Sequence, residues 1–259
     1  MAESTLSIGY PDLTAEVGQF LGHGRDSTAW TADQTSAIDD YVQAGVRQFY
    51  YPPAVEGVEV GFDWSFLQPT TTLDTTADDA DQDMPDDFGR VLGNLSFEPD
   101  ECVSPVVQIG VGRILAFRQQ TDSTSVPRYF AINNKTTAGT DGQRFEIMFH
   151  PTPDDAYTLA YRYEAFVSKL SAAAPYPLGG MKYAEVLTES CLAVAEQRAD
   201  GERGIHWESF VRLLAAAIAQ DRKGGARYFG PMGEQSEQSP VPRRSWGSNY
   251  PVTYDGVTW

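Results

Sequence analysis

The sequence predicts an α+β protein: a four-helix bundle with an inserted antiparallel β-rich module and an extended C-terminal arm. Three observations support this fold class. Apolar residues repeat at helical spacing near both ends of segment 10–222. Through the middle of the chain they alternate with polar residues, as in half-buried strands. From residue 226 onward neither period is sustained, and glycine, proline and serine become frequent.

Two helices are predicted before the β-rich part, at about 12–21 and 32–50. The first has apolar residues at i, i+4, i+7 and i+8 and is followed by two glycines, which favour termination. The second begins after Thr31, which is spaced to form a capping box with Gln34. It ends before the proline pair that begins at Pro52, because proline cannot continue a helix.

Segment 54–166 is predicted to form the inserted β-rich module. Turns rich in glycine and proline separate its apolar runs, which favours antiparallel pairing. The pattern of 106–119 is ambiguous, and a short helix is expected around 113–118. Strands are expected at 58–66, 91–97, 129–132, 145–149 and 157–163.

Helical spacing returns after the proline- and glycine-rich stretch that ends at residue 180. It predicts a helix at about 181–199, with Cys191 as a buried thiol on its apolar face, and another at about 206–222. Four amphipathic helices, each too short to bury its apolar face alone, are expected to pack as a bundle. The predicted domains are 10–53 plus 167–222 for the bundle, 54–166 for the β-rich module and 223–259 for the arm.

The C-terminal stretch combines a linker-like composition with large anchoring side chains. Counted from Arg222, it holds five basic and three acidic residues, so it carries +2 while the rest of the chain carries −19. A segment with no core of its own can order on a partner, and aromatic and arginine side chains dominate binding hot spots. A plain disordered tail is the alternative. The candidate partner-binding residues are Tyr228, Phe229, Arg243, Arg244, Trp246, Tyr250, Tyr254 and Trp259.

The net charge of −17 bears on which partners are compatible with the chain. A field of this sign opposes gripping of DNA or RNA and binding to anionic membranes. No apolar stretch is long enough to span a bilayer, and the first residues lack the features of a secretory signal. A soluble protein made in the host cytoplasm is therefore expected, with no membrane partner.

No catalytic or metal-binding signature is present in the sequence. The acidic segment 74–87 holds seven Asp, but at EF-hand spacing from Asp79 the sixth position is Met84 and the twelfth is Arg90. A solvated acidic loop is the expectation there. The three histidines are scattered, and neither a nucleophile elbow nor a phosphate-binding loop occurs. We therefore expect no enzymatic activity, no catalytic or metal site and no cofactor.

Four segments, in this order, resemble the head-to-tail adaptor (connector) proteins of tailed bacteriophages. They are YVQAGVRQFYYPP at 41–53, FDWSFLQP at 62–69, FHPTPDDAYTLAYRY at 149–163 and YPLGGMKYAEVLTESCLAVAE at 176–196. The resemblance implies a structural virion protein in the neck, forming a ring that is commonly dodecameric. It implies a portal protein and a stopper or tail protein as partners, and genomic DNA that passes through without sequence-specific binding. The C-terminal arm would dock on the portal.

The large insertion at 54–166 departs from the smallest adaptors, which leaves its own role open. Another neck component is one alternative: a stopper, a tail-completion protein or a nozzle protein. A receptor- or carbohydrate-binding module, based on exposed aromatic side chains between 54 and 165, is a second alternative.

Overall fold

A computed structural model describes residues 4–54, 61–98, 104–121, 123–135 and 144–224, and two short strands at 253–254 and 257–258. The chain divides into two compact units, Met1–Gly224 and Gly225–Trp259. In the second unit, β9 (Thr253–Tyr254) pairs antiparallel with β10 (Val257–Thr258). The first unit is α+β, as predicted, with five helices and two four-stranded sheets among its described residues.

Helices form at the four places where apolar residues repeat at helical spacing. The first two are α1 (Tyr10–Phe20) and α2 (Ala32–Tyr50), and the last two are α4 (Ala184–Asp200) and α5 (Ile205–Gly224). Thr31 and Gln34 form the predicted capping box, with both side chains bonded to backbone N–H groups. α4 begins later than expected because Gly180–Tyr183 form a 3-10 turn.

All four helices contribute buried side chains to one apolar core. The backbones of α2 and α4 come very close within it. A Cβ added to Gly45 would lie 2.5 Å from the Cα of Cys191, so the two backbones meet where glycine has no side chain. There the Ser190 hydroxyl donates to the Gly45 carbonyl at 2.7 Å. The buried thiol expected at Cys191 is confirmed.

The strands of the first unit lie between α2 and α4 in the chain, together with α3 (Val111–Gln120), which confirms the short helix expected around 113–118. One sheet has the order β1-β8-β3, with β4 also paired to β8, and the other has the order β2-β7-β6-β5. Pairing is antiparallel as expected, except that β5 and β6 are parallel. The strands are β1 (Thr70–Asp74), β2 (Asp81–Asp83), β3 (Phe88–Val91), β4 (Ser96–Phe97), β5 (Val107–Gln108), β6 (Tyr129–Lys135), β7 (Arg144–His150) and β8 (Thr158–Ala165).

Apolar side chains of both sheets form a second core, which includes Phe88, Phe130, Ile147, Phe149 and Leu159. Along β6 and β7 the alternate side chains belong to a separate, smaller cluster. In it, Ile114 of α3 packs against Ala131 and Met148. The four-stranded sheet that contains β7 therefore contributes to one core through one face and to the α3 cluster through the other.

The strand predicted at 58–66 is wrong for the part that the structure describes, which begins at residue 61. Residues 61–64 form no strand, and Ser65–Leu67 form a 3-10 turn. The apolar alternation has another cause: the Trp64 ring packs 4.8 Å from the Phe49 ring and belongs to the helical core. The buried Asp221 of α5 holds this turn by accepting from the Ser65 amide and hydroxyl at 3.0 and 2.6 Å.

Candidate functional site

Seven of the eight predicted partner-binding residues lie outside the described residues. They are Tyr228, Phe229, Arg243, Arg244, Trp246, Tyr250 and Trp259. The eighth, Tyr254, lies in β9, where its backbone pairs with Val257. Their role in binding therefore stays a prediction.

The acidic segment 74–87 is partly a strand, because β2 spans Asp81–Asp83. Its carboxylates are directed to separate partners rather than to one point. Asp81 pairs with Arg118 of α3 at 2.7 Å, and Asp83 pairs with Lys135 at 2.5 Å. Asp86 pairs with Arg144. No group of three or more His, Cys, Asp or Glu able to hold a metal ion occurs among the described residues.

The charge of the chain is concentrated in the segment that carries the strands. Residues 54–166 contain nineteen acidic and seven basic residues, a net charge of −12 out of −17. Four of those seven basic residues form ion pairs with carboxylates: Arg90, Arg118, Lys135 and Arg144. The other three, Arg113, Arg128 and Arg162, are exposed and form no ion pair with a carboxylate within the described part of the chain.

Two of these arginines, Arg113 and Arg128, lie beside aromatic side chains around α3, of which Tyr129 is exposed and Phe117 is half-buried. We call the set Arg113, Leu115, Phe117, Arg128 and Tyr129 the arginine–aromatic surface. The Arg113 guanidinium lies 5.4 Å from the centre of the Phe117 ring, a cation–π distance. That ring is 5.7 Å from the ring of Tyr129. Leu115 is 52% exposed and Tyr129 is 37% exposed.

Two further residues extend the arginine–aromatic surface across the sheet. In the strand register, Tyr129 is opposite both His150 and Val107, and Val107 is exposed. The His150 ring lies 5.2 Å from Phe117. Burial, with a smaller contribution from the nearby Arg118 charge, lowers the pKa of His150 below its ordinary 6.5. The imidazole is therefore neutral at pH 7, and the arginines supply the positive charge of this surface.

A second exposed apolar patch lies where the N-terminal segment meets the turn before α4. It consists of Leu6, Tyr176, Leu178 and Met181, all exposed. The Ser4 hydroxyl donates to the Met181 sulfur at 3.5 Å, which ties the two segments together. Side chains of this kind are suited to contacts with another protein.

A cleft of about 400 Å³ lies between α2 and α4. Its lining offers amide groups and one guanidinium, with neither a carboxylate nor a nucleophilic side chain. The lining residues are Ala44, Gln48, Val194, Gln197, Arg198 and Gly201. Such a donor set does not form an acid–base pair for catalysis.

These features define a protein whose distinctive surfaces are suited to binding other proteins. The family model described as SU10 adaptor protein matches residues 9–234, which is most of the chain. The chain therefore belongs to the SU10 adaptor protein family, a family of phage head-to-tail adaptors. No curated protein matches this sequence. Among the described residues, no helix is long and apolar enough to cross a lipid bilayer.

Proposed function

We propose that this protein forms the head-to-tail adaptor ring of a tailed phage, located in the neck of the virion. The ring joins the portal to the stopper or tail and continues the DNA channel. The single observation that carries the proposal is the family match over residues 9–234, which establishes a structural phage adaptor. A closed ring forms when one surface of each subunit binds a different surface of the next subunit, and this contact repeats by rotation. We propose twelve subunits, the number common among such adaptors.

In this proposal the parts of the chain have separate tasks. Segments 10–53 and 167–222 form a four-helix bundle that builds the ring, and 54–166 is a module inserted between its halves. Segment 223–259 is an arm that docks on the portal. The shared apolar core of α1, α2, α4 and α5 supports the first assignment. The order of the elements, with all strands of 70–165 between α2 and α4, supports the second.

The proposed role of the arm rests mostly on residues that lie outside the family match. The family match ends at residue 234, so it includes Tyr228 and Phe229. The other six proposed anchors lie beyond it: Arg243, Arg244, Trp246, Tyr250, Tyr254 and Trp259. Their aromatic and guanidinium groups are the types that contribute most at protein interfaces.

The strongly acidic composition fits a protein that DNA slides past rather than one that holds it. A carboxylate-rich lining repels phosphates, whereas a basic lining would bind them through counterion release. We propose that genomic DNA passes through the ring without sequence-specific contacts. Short DNA duplexes should therefore show no binding even at low ionic strength, where electrostatic attraction to a basic surface would be strongest.

The proposal is tested by measuring the mass of the complex that the protein forms with its cognate portal. Three chains are compared: the full length, a chain ending at Gly224 and a chain ending at residue 234. The first of the two truncated chains ends where the compact unit Met1–Gly224 ends, so it is expected to fold. Retained melting temperature confirms that its loss of binding is not loss of structure.

We expect the full-length chain to join the portal as a ring and the chain ending at Gly224 to fail. The chain ending at residue 234 separates the anchors within the family match from those beyond it. If none of the three chains binds the portal, the adaptor role is refuted. A stopper, tail-completion or nozzle protein would instead bind another ring of the neck, and a carbohydrate-binding module would bind glycans.

A further inference from the structure

Four exposed apolar side chains lie along two segments that contact each other. We call Leu6, Tyr176, Leu178 and Met181 the apolar end patch. The hydroxyl of Ser4 donates to the Met181 sulfur at 3.5 Å. The Tyr10 amide donates to the Pro175 carbonyl at 2.7 Å. Leu6 lies between those two contacts in the sequence and is 74% exposed. Apolar side chains grouped in this way on a surface mark a site for another protein.

The backbone beneath the apolar end patch is held by the helical core. The Tyr50 hydroxyl of α2 donates to the Leu178 carbonyl at 3.1 Å. Gly179 has a φ of +101°, and a Cβ added there would lie 2.8 Å from the Tyr183 ring and 3.1 Å from the Phe66 ring. The turn therefore packs closely on two aromatic side chains of the helical core. A surface whose backbone is already ordered loses little conformational entropy when it binds.

The apolar end patch lies at the end of the helices from which the C-terminal arm continues. The Tyr183 hydroxyl donates to the buried Asp221 carboxylate of α5 at 3.2 Å, and Tyr183 follows Met181 by two residues. Asp221 precedes the end of α5 at Gly224 by three residues, which is a rise of about 4.5 Å. The last residues of α5 are therefore close to the apolar end patch, because Asp221 is bonded to the same turn.

The first aromatic anchors of the arm follow α5 closely in the sequence. Tyr228 and Phe229 lie four and five residues after Gly224, and both are inside the family match. Five residues of fully extended chain span at most about 18 Å. The partner that binds Tyr228 and Phe229 therefore lies within about 18 Å of the end of α5. An assembly of many subunits is larger than this distance, so a portal that binds these anchors can also contact the apolar end patch.

The charge around the apolar end patch matches the charge of the arm. Segments 4–11 and 168–183, which carry the patch, contain Lys169 and Lys182 and no acidic residue, and both lysines are exposed. The chain from Arg222 onward carries +2 as well, so the remaining residues carry −21. An apolar surface bordered by carboxylates would complement both the patch and the arm.

A second copy of the same patch does not complement it. Such a contact would place Lys169 and Lys182 against the same two lysines, and like charges repel each other. A contact between identical surfaces also joins only two subunits, whereas a ring needs two different surfaces. The partner of the arm is therefore the favoured occupant of the patch.

We infer that the apolar end patch is a second portal contact, which packs on an apolar surface of the portal that carboxylates border. This inference rests on the proposed function, and it assigns a portal contact to the helical part of the chain as well as to the arm. Binding of the arm holds the patch at a high effective concentration near the portal, so the two contacts strengthen each other. Loss of the patch should therefore weaken portal binding without abolishing it.

Photocrosslinking of the bound protein tests which molecule covers the patch. In a Cys102→Ser background, which leaves the buried Cys191 thiol, Leu178→Cys is labelled with a benzophenone maleimide. The full-length chain is bound to its cognate portal and irradiated, and crosslinked peptides are identified by mass spectrometry. We expect crosslinks from residue 178 to the portal. Leu115→Cys in α3 is the control and should give none; Leu178 and Leu115 are 47% and 52% exposed.

Affinity measurements then test whether the contact contributes to binding. Leu6→Ser with Leu178→Ser should raise the dissociation constant of the full-length chain for the portal by about tenfold or more. The matched control is Leu115→Ser with Ile205→Ser, which replaces two exposed apolar side chains outside the patch. That control should leave the dissociation constant unchanged. Both variants should keep the melting temperature of the unmodified chain, since all four side chains are exposed.

Charge reversal tests the chemistry of the partner surface. Lys169→Glu with Lys182→Glu should weaken portal binding, and the loss should be larger at low salt than at high salt because salt screens exposed charges. A variant that binds the portal more tightly than the unmodified chain would show that the bordering charges of the portal are basic, which contradicts the inference.

Crosslinks from residue 178 to another adaptor subunit or to the arm, with none to the portal, overturn the inference. A Leu6→Ser, Leu178→Ser chain that binds the portal as tightly as the control variant also overturns it. In both cases the unmodified chain still binds the portal, so the proposed function stands. Failure of the unmodified chain to bind the portal refutes the proposed function, and this inference with it.

Discussion

The contact between α2 and α4 at Gly45 gives the sharpest prediction about stability. In Gly45→Ala the new Cβ would lie 2.5 Å from the Cα and 2.8 Å from both the N and the Sγ of Cys191. Two of these three atoms belong to the backbone, so no change of side-chain rotamer can relieve the contact. The two helices must move apart instead, which weakens the hydrogen bond from Ser190 to the Gly45 carbonyl.

The expected magnitude is the balance of three effects. Overpacking a core by one methyl group costs about 1–3 kcal/mol, and the weakened buried hydrogen bond costs about 1 kcal/mol. Alanine is more favourable than glycine inside a helix by about 1 kcal/mol, which opposes the loss. We expect Gly45→Ala to be less stable by about 2 kcal/mol. For a chain of this size that lowers the melting temperature by about 4–8 °C.

Calorimetry of the chain and two variants measures this effect. The control is Gly112→Ala in α3, where an added Cβ has no atom within 4 Å and helix propensity acts alone. That variant should melt at or slightly above the temperature of the unmodified chain. Combining Gly45→Ala with Cys191→Ala should not restore stability, because the backbone contact remains. A Gly45→Ala chain that melts like Gly112→Ala would refute the close approach of the two helices.

Three further predictions concern buried polar groups. Burial raises the pKa of the Cys191 thiol to about 12 from its ordinary 9.0, so between these values the folded chain keeps a proton that the unfolded chain loses. The stabilisation linked to this protonated thiol is therefore fully present below pH 9. As the pH rises toward 12, the free energy of unfolding falls by about 1.4 kcal/mol per pH unit. Burial also raises the pKa of Tyr10, Tyr161 and Tyr183 from 10.0 to about 12, so urea denaturation between pH 9 and 10 isolates the thiol and should show this slope and its loss in Cys191→Ala. Gln43→Leu should cost about 2–3 kcal/mol because Gln43 bonds both the amide and the carbonyl of Leu170. Asp221→Ala should cost a similar amount, about 2–3 kcal/mol, because it leaves the Ser65 amide and hydroxyl without their acceptor.

Exposed positions of the same residue type provide the controls for these variants. Gln220→Leu and Asp40→Ala replace exposed side chains on helices and should change the free energy of unfolding by less than about 0.5 kcal/mol. If Gln43→Leu is no worse than Gln220→Leu, or Asp221→Ala no worse than Asp40→Ala, the buried bonds do not stabilise the fold. An unchanged pH slope in Cys191→Ala would show that another group titrates in that range.

Local patterns were sufficient to predict the helices and the longer strands. A helix or strand long enough to repeat its period several times shows that period in the sequence whatever it packs against, as α2, β7 and β8 do. Capping is equally local, because Thr31 and Gln34 lie within one turn of each other. β1 and β2 were not predicted, because they are short and polar and are held as strands by pairing with β8 and β7.

The same period was misleading where side chains pack for a nonlocal reason. Phe62, Trp64 and Phe66 alternate as in a strand, but in the tertiary structure they cluster around the Phe49 end of α2. Nothing in the local sequence around Trp64 reveals that packing. The adjoining Ser65 is held by Asp221, which is 156 residues away in the sequence but 2.6 Å away in the folded unit.

The sequence by itself determined the α+β class, the order of helical and strand-bearing segments, and the likeness to phage adaptors, because these depend on composition and short-range spacing. Only the tertiary structure decided which charged groups are already neutralised. Arg118 and Arg113 look alike in the sequence, yet the fold brings Asp81 of β2 to Arg118 and brings no carboxylate of the described residues to Arg113. The physical reason is that an ion pair acts over about 4 Å, and such distances between remote residues are set by the packing of the whole chain.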